Sequence, residues 1–518
     1  VMVIRVATVH DPFPGWGGDP LDLPSPILGI TPFVGFVLDG VALIGCALAV
    51  WSARALPLRW ALFLALAAVS VAYHALVKNR GNVDAAALGI HWFTSIACAL
   101  GMMAACRIDR VRAIAIAGVL GILALLAIKA PAQVFLEHPE TYAAFKEDKV
   151  RLLTSQGWAE GSSNALAYER RLSQPEATGW FGLANVYATL AAAGVAAFVG
   201  LLIAAIKARA SSRVLATFTT AGLLSITALV LAGSKGGYAA AALGLVLVVL
   251  GQLLQRNRTP ASRGANRLQQ FAPLLGVVLI VGVLSAVVAR GMIGQRLGEL
   301  SLLFRWFYLE AAARIFAANP LWGVGPAGFK DAYMLAKNPI SPEDVISPHS
   351  ILFDFAAGLG IGGLALGAIW MGVVMRSARG MFAPSVAAPQ RLLQTAQVAS
   401  DLRTDLRLVM IPAVIGILTT SFLEQQIATA SSTVVRLLGM AAFGGIGAAV
   451  IALTRGKKNT STIGLLSLPM SAAALAVAVH LQIEMTGIVP GAALWCGLML
   501  GAAGGTALQG GDASARDA

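Results

Sequence analysis

The chain has six histidines in 518 residues, and one of them stands where a base would be useful. His349 follows Pro348, and an apolar helix is predicted to begin directly after it. Proline biases the residue before it away from helix, so the pair reads as a helix entry, with Ser347 and Ser350 as capping hydroxyls. An imidazole at a helix N-terminus feels the positive end of the dipole, which disfavours protonation and keeps it available as a base near neutral pH. Plain capping or interfacial anchoring fits the same position. His74, His91 and His480 fall within or beside apolar stretches, and His10 and His138 fall in loops without partners at ligand spacing. A satisfied structural role is the expectation for these five. There is no HExxH and no carboxylate cluster at metal spacing, so neither a metal site nor a cofactor is expected.

The cations sort by helix arithmetic. From Gln295 to Ala318 the pattern QRLGELSLLFRWFYLEAAARIFAA is helical, with Leu297, Leu300, Phe304, Phe307, Ala311 and Ile315 at three- or four-residue steps. Arg296 has Glu299 three residues on, and Arg314 has Glu310 four residues back, as in ordinary surface pairs. Arg305 has Ser301, Leu302, Tyr308 and Leu309 at those steps and no acid. A guanidinium without a local partner invites an anion that can accept a bidentate pair, a phosphate above all, although snorkelling towards headgroups explains it equally well. Lys235, in AGSKGGY between two apolar stretches, also lacks a nearby acid. Gly323, Gly325 and Gly328 match GxGxxG, but no strand precedes them and Pro326 interrupts them, so a dinucleotide site is excluded. A backbone nest for phosphate at the start of the short helix that follows stays open.

The elements that must position these residues are membrane spans. Hydrophobic residues make up 57% of the chain and charged ones 12%, at a mean hydropathy of +0.76. Soluble domains carry about 25% charged residues, so the apolar excess belongs in lipid. The fold class expected is an all-α integral membrane protein of about 12–13 transmembrane helices, one domain over 1–518. Residues 1–26 lack the basic start and short apolar core of a signal peptide, so the stretch from Ile27 reads as a retained first span despite Asp39. The net charge of +13 does not point to nucleic acid. Lys and Arg cluster, without acids, at 207–213, 255–267, 376–379 and 455–458, which the positive-inside rule places in the cytoplasm. Residues 131–180, the tip at 233–237, and 290–348 then face outward. The two long segments read as outer loops with short amphipathic helices, the second lying on the membrane surface with its apolar face inward. Cys46, Cys98, Cys106 and Cys496 lie in or beside spans, which argues against a disulfide framework outside. A transporter is a further possibility of a different class, favoured by isolated polar residues such as Asp39 and Glu424 but not by any visible repeat.

Taken together, Arg305 on its helix, NPLWGVGPAGF at 319–329 and SPHSILFDFAAGLGIGGL at 347–364 resemble the signature region of bacterial O-antigen ligases and the related O-antigen polymerases. That region typically reads as an arginine, an "NPLLGVG" turn, and an "HN" pair running into a Gly-rich apolar helix. ATGWFGLANVYA at 177–188 is similar to the family's "TGTFGNPNYLA" and keeps Asn185, and AGSKGGYAAA is similar to its "SRGAYLA". Lys235 stands where the family usually has arginine, Ser350 where asparagine is common, and Leu183 replaces the first asparagine of the upstream motif. The resemblance implies a metal-independent, inverting glycosyl transfer at the periplasmic face of the bacterial inner membrane. The donor it implies is a polysaccharide on undecaprenyl pyrophosphate, and the acceptor a sugar hydroxyl of lipid A-core. On that basis His349 is the expected base and Arg305 the cation at the reacting centre. Lys235, Arg296, Arg290 and Asn185 are then the pyrophosphate-side residues. Polymerases and protein oligosaccharyltransferases of the same family share these features.

Overall fold

The computed structural model describes residues 1–8, 30–54, 56–155, 157–256, 263–294, 300–382, 402–424, 430–455 and 462–507. These residues form helices joined by turns and irregular connections, with no strand among them. Among the described residues, eleven helices are long and apolar enough to cross a membrane, from Pro32–Ala53 to Ser432–Thr454, and the shorter apolar Leu465–His480 packs among them. A last helix, Pro490–Ala507, lies against Val83–Ala105. Its glycines allow this: a Cβ on Gly497 would stand 2.5 Å from the Ser95 carbonyl oxygen, and one on Gly501 2.2 Å from that of Ala99. Close backbone approach through small residues is how helices gain contact where lipid offers no hydrophobic drive.

The spans pack side by side around a continuous core that includes Trp92, Tyr187, Phe198, Trp370 and Trp495. Charges inside this layer are answered. Asp39 pairs with Arg5 at 2.8 Å and lies 3.3 Å from the His91 Nδ1, all three buried. Glu424 pairs with Arg436, which also donates to the Ala7 carbonyl at 3.2 Å. The two residues that look isolated in sequence are therefore ion-paired across helices, as burial in a low-dielectric layer demands.

The segment boundaries differ from the expected ones. The helix entering the first outer segment does not stop at 131. It continues through a π-helical turn, Gln133–Glu137, into His138–Glu147, so the segment made of separate short helices, Lys149–Ser155 and Ser163–Leu172, begins later. Pro131 is tolerated because its missing N–H falls next to that widened turn, where the regular i→i−4 ladder is already interrupted. In the second segment the described helix is Ser301–Ala318, and residues 295–299 lie outside the described residues. Its apolar face is also shifted. Leu303, Phe307, Tyr308, Ala311, Ala312 and Ile315 are buried against Phe329–Ala336 and Ile351–Leu359, so protein covers the face that was expected to rest on lipid.

Candidate functional site

Five segments meet at one end of the bundle: the start of Ala184–Lys207, the two-residue turn before Lys235–Arg256, the first turns of Ser301–Ala318, residues 347–354, and the connection 481–489 between the last two helices. The connection is the hub. The Ile351 N–H donates to the Leu481 carbonyl at 3.0 Å, and the Ser350 Oγ to the Gln482 Oε1 at 2.9 Å. Ser350 was expected to cap the helix; its hydroxyl is spent on Gln482 instead.

Arg305 is not the unpaired cation its neighbours in sequence suggest. Its Nη2 donates to the Glu484 Oε1 at 2.7 Å, its Nε to the Ile483 carbonyl at 3.2 Å and its Nη1 to the Ser301 carbonyl at 3.3 Å. The partner lies 179 residues away in the chain, beyond any local pattern. Glu484 is nearly fully buried, and burial pushes its carboxyl pKa up, while Arg305 and a hydrogen bond from Asn185 oppose that shift. The guanidinium has five N–H donors and uses three, so two remain for an anion.

His349 sits beside this pair. Its backbone φ is +57°, the left-handed region that non-glycine residues seldom enter. The turn folds the ring back so that Nδ1 lies 3.0 Å from the Ser347 carbonyl, and the ring lies tilted, 5.1 Å between centroids, against Tyr308, whose hydroxyl donates to Glu343. A carbonyl only accepts, so Nδ1 carries the hydrogen and Nε2 carries the lone pair. No described residue hydrogen-bonds that Nε2. The imidazole pKa is lowered to about 3, first by burial and then by the Arg305 charge. The ring is thus neutral, and burial rather than a helix dipole is the main cause.

Three residues that sequence reasoning passed over belong here. Asp354, on the first turn after His349, accepts from the Ser347 Oγ at 3.1 Å. His480, read as structural, places Nδ1 2.7 Å from the Thr189 Oγ1, and the Arg305 charge acts on it as it does on His349. Glu484 is the third. The one available signal was two polar residues, Gln482 and Glu484, in a short apolar connection between spans. Of the remaining candidates, Asn185 joins the site through Glu484. Lys235 is exposed as the first residue of Lys235–Arg256, one residue from Gly236, where a Cβ would come 2.7 Å from the His480 Nε2. Arg290 is buried and its guanidinium donates to the Gly294 carbonyl at the end of its own helix. Arg296 lies outside the described residues.

The glycine-rich turn spends its backbone donors on the protein itself. The Gly323 N–H donates to the Asn319 carbonyl at 2.9 Å, Val324 to Ala357 at 2.9 Å, Gly325 to Gly358 at 2.9 Å and Gly328 to Gly325 at 3.0 Å. These donors are consumed inside the protein. The turn is a rivet seated in the break between Ile351–Leu359 and Ile361–Arg379, where Gly360 has φ +59° and the Ile361 N–H reaches the Leu321 carbonyl at 3.2 Å. From the other side, Lys78 donates to the Gly323 carbonyl at 2.9 Å, His74 meets the Trp322 carbonyl at 2.7 Å, and Tyr73 stacks on Trp322 at 4.2 Å. His74 therefore does have the structural role expected of it.

No curated protein and no solved structure matches the chain. A family model described as O-antigen ligase matches residues 220–368, a little under a third of the chain, which hold Arg305, the turn and His349. Asn185, His480 and Glu484 lie outside it and complete the site from elsewhere in the bundle. With that match on the helix, turn and histidine described above, residues 220–368 are similar to the O-antigen ligase family, within a protein built of membrane-spanning helices.

Proposed function

We propose that the protein is an O-antigen ligase: it transfers a polysaccharide from undecaprenyl pyrophosphate to a sugar hydroxyl of lipid A-core, on the periplasmic side of the bacterial inner membrane. The observation that carries this reading is the meeting of Arg305 with a neutral His349 whose Nε2 is free. Pyrophosphate is a good leaving group, so the protein's main task is to meet the charge that develops on it. Arg305 offers two unused N–H donors for that, and Lys235 offers an exposed ammonium. His349 Nε2 takes the proton of the attacking hydroxyl as that oxygen attacks the anomeric carbon from the face opposite the departing pyrophosphate, which inverts the configuration. A bound pyrophosphate sets two negative charges near the imidazole, raising its pKa towards the range where a base works best.

Purified protein in proteoliposomes, given undecaprenyl-pyrophosphate glycan and lipid A-core, is expected to form the conjugate seen by mass spectrometry. His349→Ala and His349→Asn should insert normally and lose transfer by roughly 100-fold or more. Asparagine tolerates the left-handed backbone, so its failure isolates the imidazole. Near-normal transfer by either variant removes His349 from the mechanism. Offering a second lipid-linked glycan or a polypeptide in place of lipid A-core decides against a polymerase or a protein-modifying enzyme. Movement of the lipid-linked glycan across the bilayer without a covalent product would instead identify a transporter.

A further inference from the structure

His349 holds an uncommon backbone conformation, and what holds it there is a closed ring of hydrogen bonds. Ser347 supplies three of its contacts. The Oγ accepts the His349 backbone N–H at 2.9 Å, the same hydroxyl donates to the Asp354 Oδ2 at 3.1 Å, and the carbonyl receives Nδ1–H at 3.0 Å. Pro348 fixes the residue between them. Asp354 is anchored in turn, because its own N–H donates to the Ser350 carbonyl at 2.7 Å in the first turn of Ile351–Leu359. Ser347 is fully buried and Asp354 nearly so. The chain of contacts therefore runs from a rigid helix, through one carboxyl and one hydroxyl, to both the backbone and the ring of the base.

We propose that Ser347 and Asp354 are positioning residues that hold His349 in its left-handed turn, with Nε2 presented to the acceptor hydroxyl, and that Asp354 does so as an uncharged hydrogen-bond acceptor. This rests on the reading of His349 as the base. The uncharged form follows from the surroundings. A carboxylate with one hydroxyl donor and no cation in hydrogen-bond contact is poorly compensated when buried, and burial pushes the Asp354 pKa up to about 8. A neutral acid orients the serine without adding a negative charge beside the place where an anionic donor must bind. It also differs from the charged carboxylate that commonly orients a catalytic histidine, because here the imidazole's own partner is a backbone carbonyl.

The test is a double-mutant cycle on transfer by the full-length reconstituted protein, with kcat and KM for donor and acceptor measured separately. Ser347→Ala and Asp354→Leu should each lower kcat roughly 10- to 100-fold, the scale of a misplaced reacting group, and change either KM by less than about threefold. Asp354→Asn keeps an oxygen for the serine hydroxyl and should restore most of the loss. In a His349→Asn background neither Ser347→Ala nor Asp354→Leu should cost anything more, because nothing is left to position. Losses that multiply in that background, losses carried by KM, or full activity in both single variants would overturn the positioning role. Asp354→Asn as inactive as Asp354→Leu would overturn the uncharged acceptor. Should Asp354→Leu fail to fold, Ser347→Ala and Asp354→Asn carry the test alone. A His349→Asn protein that transfers at the wild-type rate sinks the base reading itself, a separate outcome visible before the cycle begins.

Discussion

At the scale of single residues, burial is the dominant force on the site's chemistry, and it acts in opposite directions on an acid and a base. His349 titrates near pH 6.5 when unfolded but at about 3 in the folded protein, so the unfolded chain binds the extra proton first as pH falls. Its contribution is thus intact above pH 6.5 and lost as pH drops from 6.5 towards 3. Asp354 moves from 3.8 to about 8, so folding favours its protonated form, and its contribution is lost as pH rises from 3.8 through 8. The two cancel between about pH 4 and 6.5, and only the aspartate acts between 6.5 and 8. Asp354→Asn should therefore gain thermal stability relative to wild type at pH 8 and lose it faster on acidification below pH 6.5. Melting curves in detergent at pH 5, 6.5 and 8 check this, and parallel pH profiles would refute it. Arg305 makes a second prediction. Arg305→Lys keeps the charge and one contact to Glu484 but loses the fork, so transfer should recover only partly relative to Arg305→Ala, with the deficit in donor KM. Equal donor kinetics in wild type, alanine and lysine variants would return Arg305 to a purely structural pairing with Glu484.

At the scale of elements, the turn 319–328 explains why glycines stand where they do. Gly323 and Gly325 have φ of +72° and +100°, and a Cβ on them would meet the Gly358 backbone at 2.5 Å and the Asn79 Nδ2 at 2.6 Å. The first obstacle is main chain and cannot move aside, whereas the second is the tip of a side chain. Gly323→Ala should thus cost about 2–4 kcal/mol, from backbone strain plus overlap, and Gly325→Ala measurably less. Because the turn seats the break ahead of Ile361–Arg379, Gly323→Ala should also lower transfer without touching a reacting group. Comparison of the two alanine variants by melting temperature decides the order, and equal values would mean that the clash is relieved elsewhere.

At the scale of the whole molecule, the chain alternates so that 74–82, 131–183, 233–234, 300–350 and 481–489 share one end of the bundle, while the Lys- and Arg-rich segment 207–213 lies at the other. Hydrogen bonds among these segments, such as Ala177 to Leu231 at 2.9 Å and Lys78 to Gly323, tie the first end together. The positive-inside rule supports the proposal that this end faces the periplasm. In a cysteine-free background, a thiol introduced at exposed Ser173 should react with an impermeant reagent in intact cells, and one at exposed Ser211 only after permeabilisation. The reverse pattern would invert the topology and remove the site from the periplasm.

The sequence alone determined the helical, membrane-spanning character of the chain, because lipid requires runs of about 20 apolar residues and nothing else satisfies their backbone. It also singled out Arg305 and His349, through local spacing and a motif shared with a family. It did not determine Glu484, His480 or Asp354 as members of the site. Helix arithmetic sees partners three or four residues away, while the acid that holds Arg305 is 179 residues on and arrives only when the connection between the last two helices folds against Arg305. Nor could it tell where the backbone donors of the glycine turn go. An N–H free for phosphate and an N–H bonded to a distant carbonyl look the same in sequence, and only the packing of that turn into the Gly360 break decided between them.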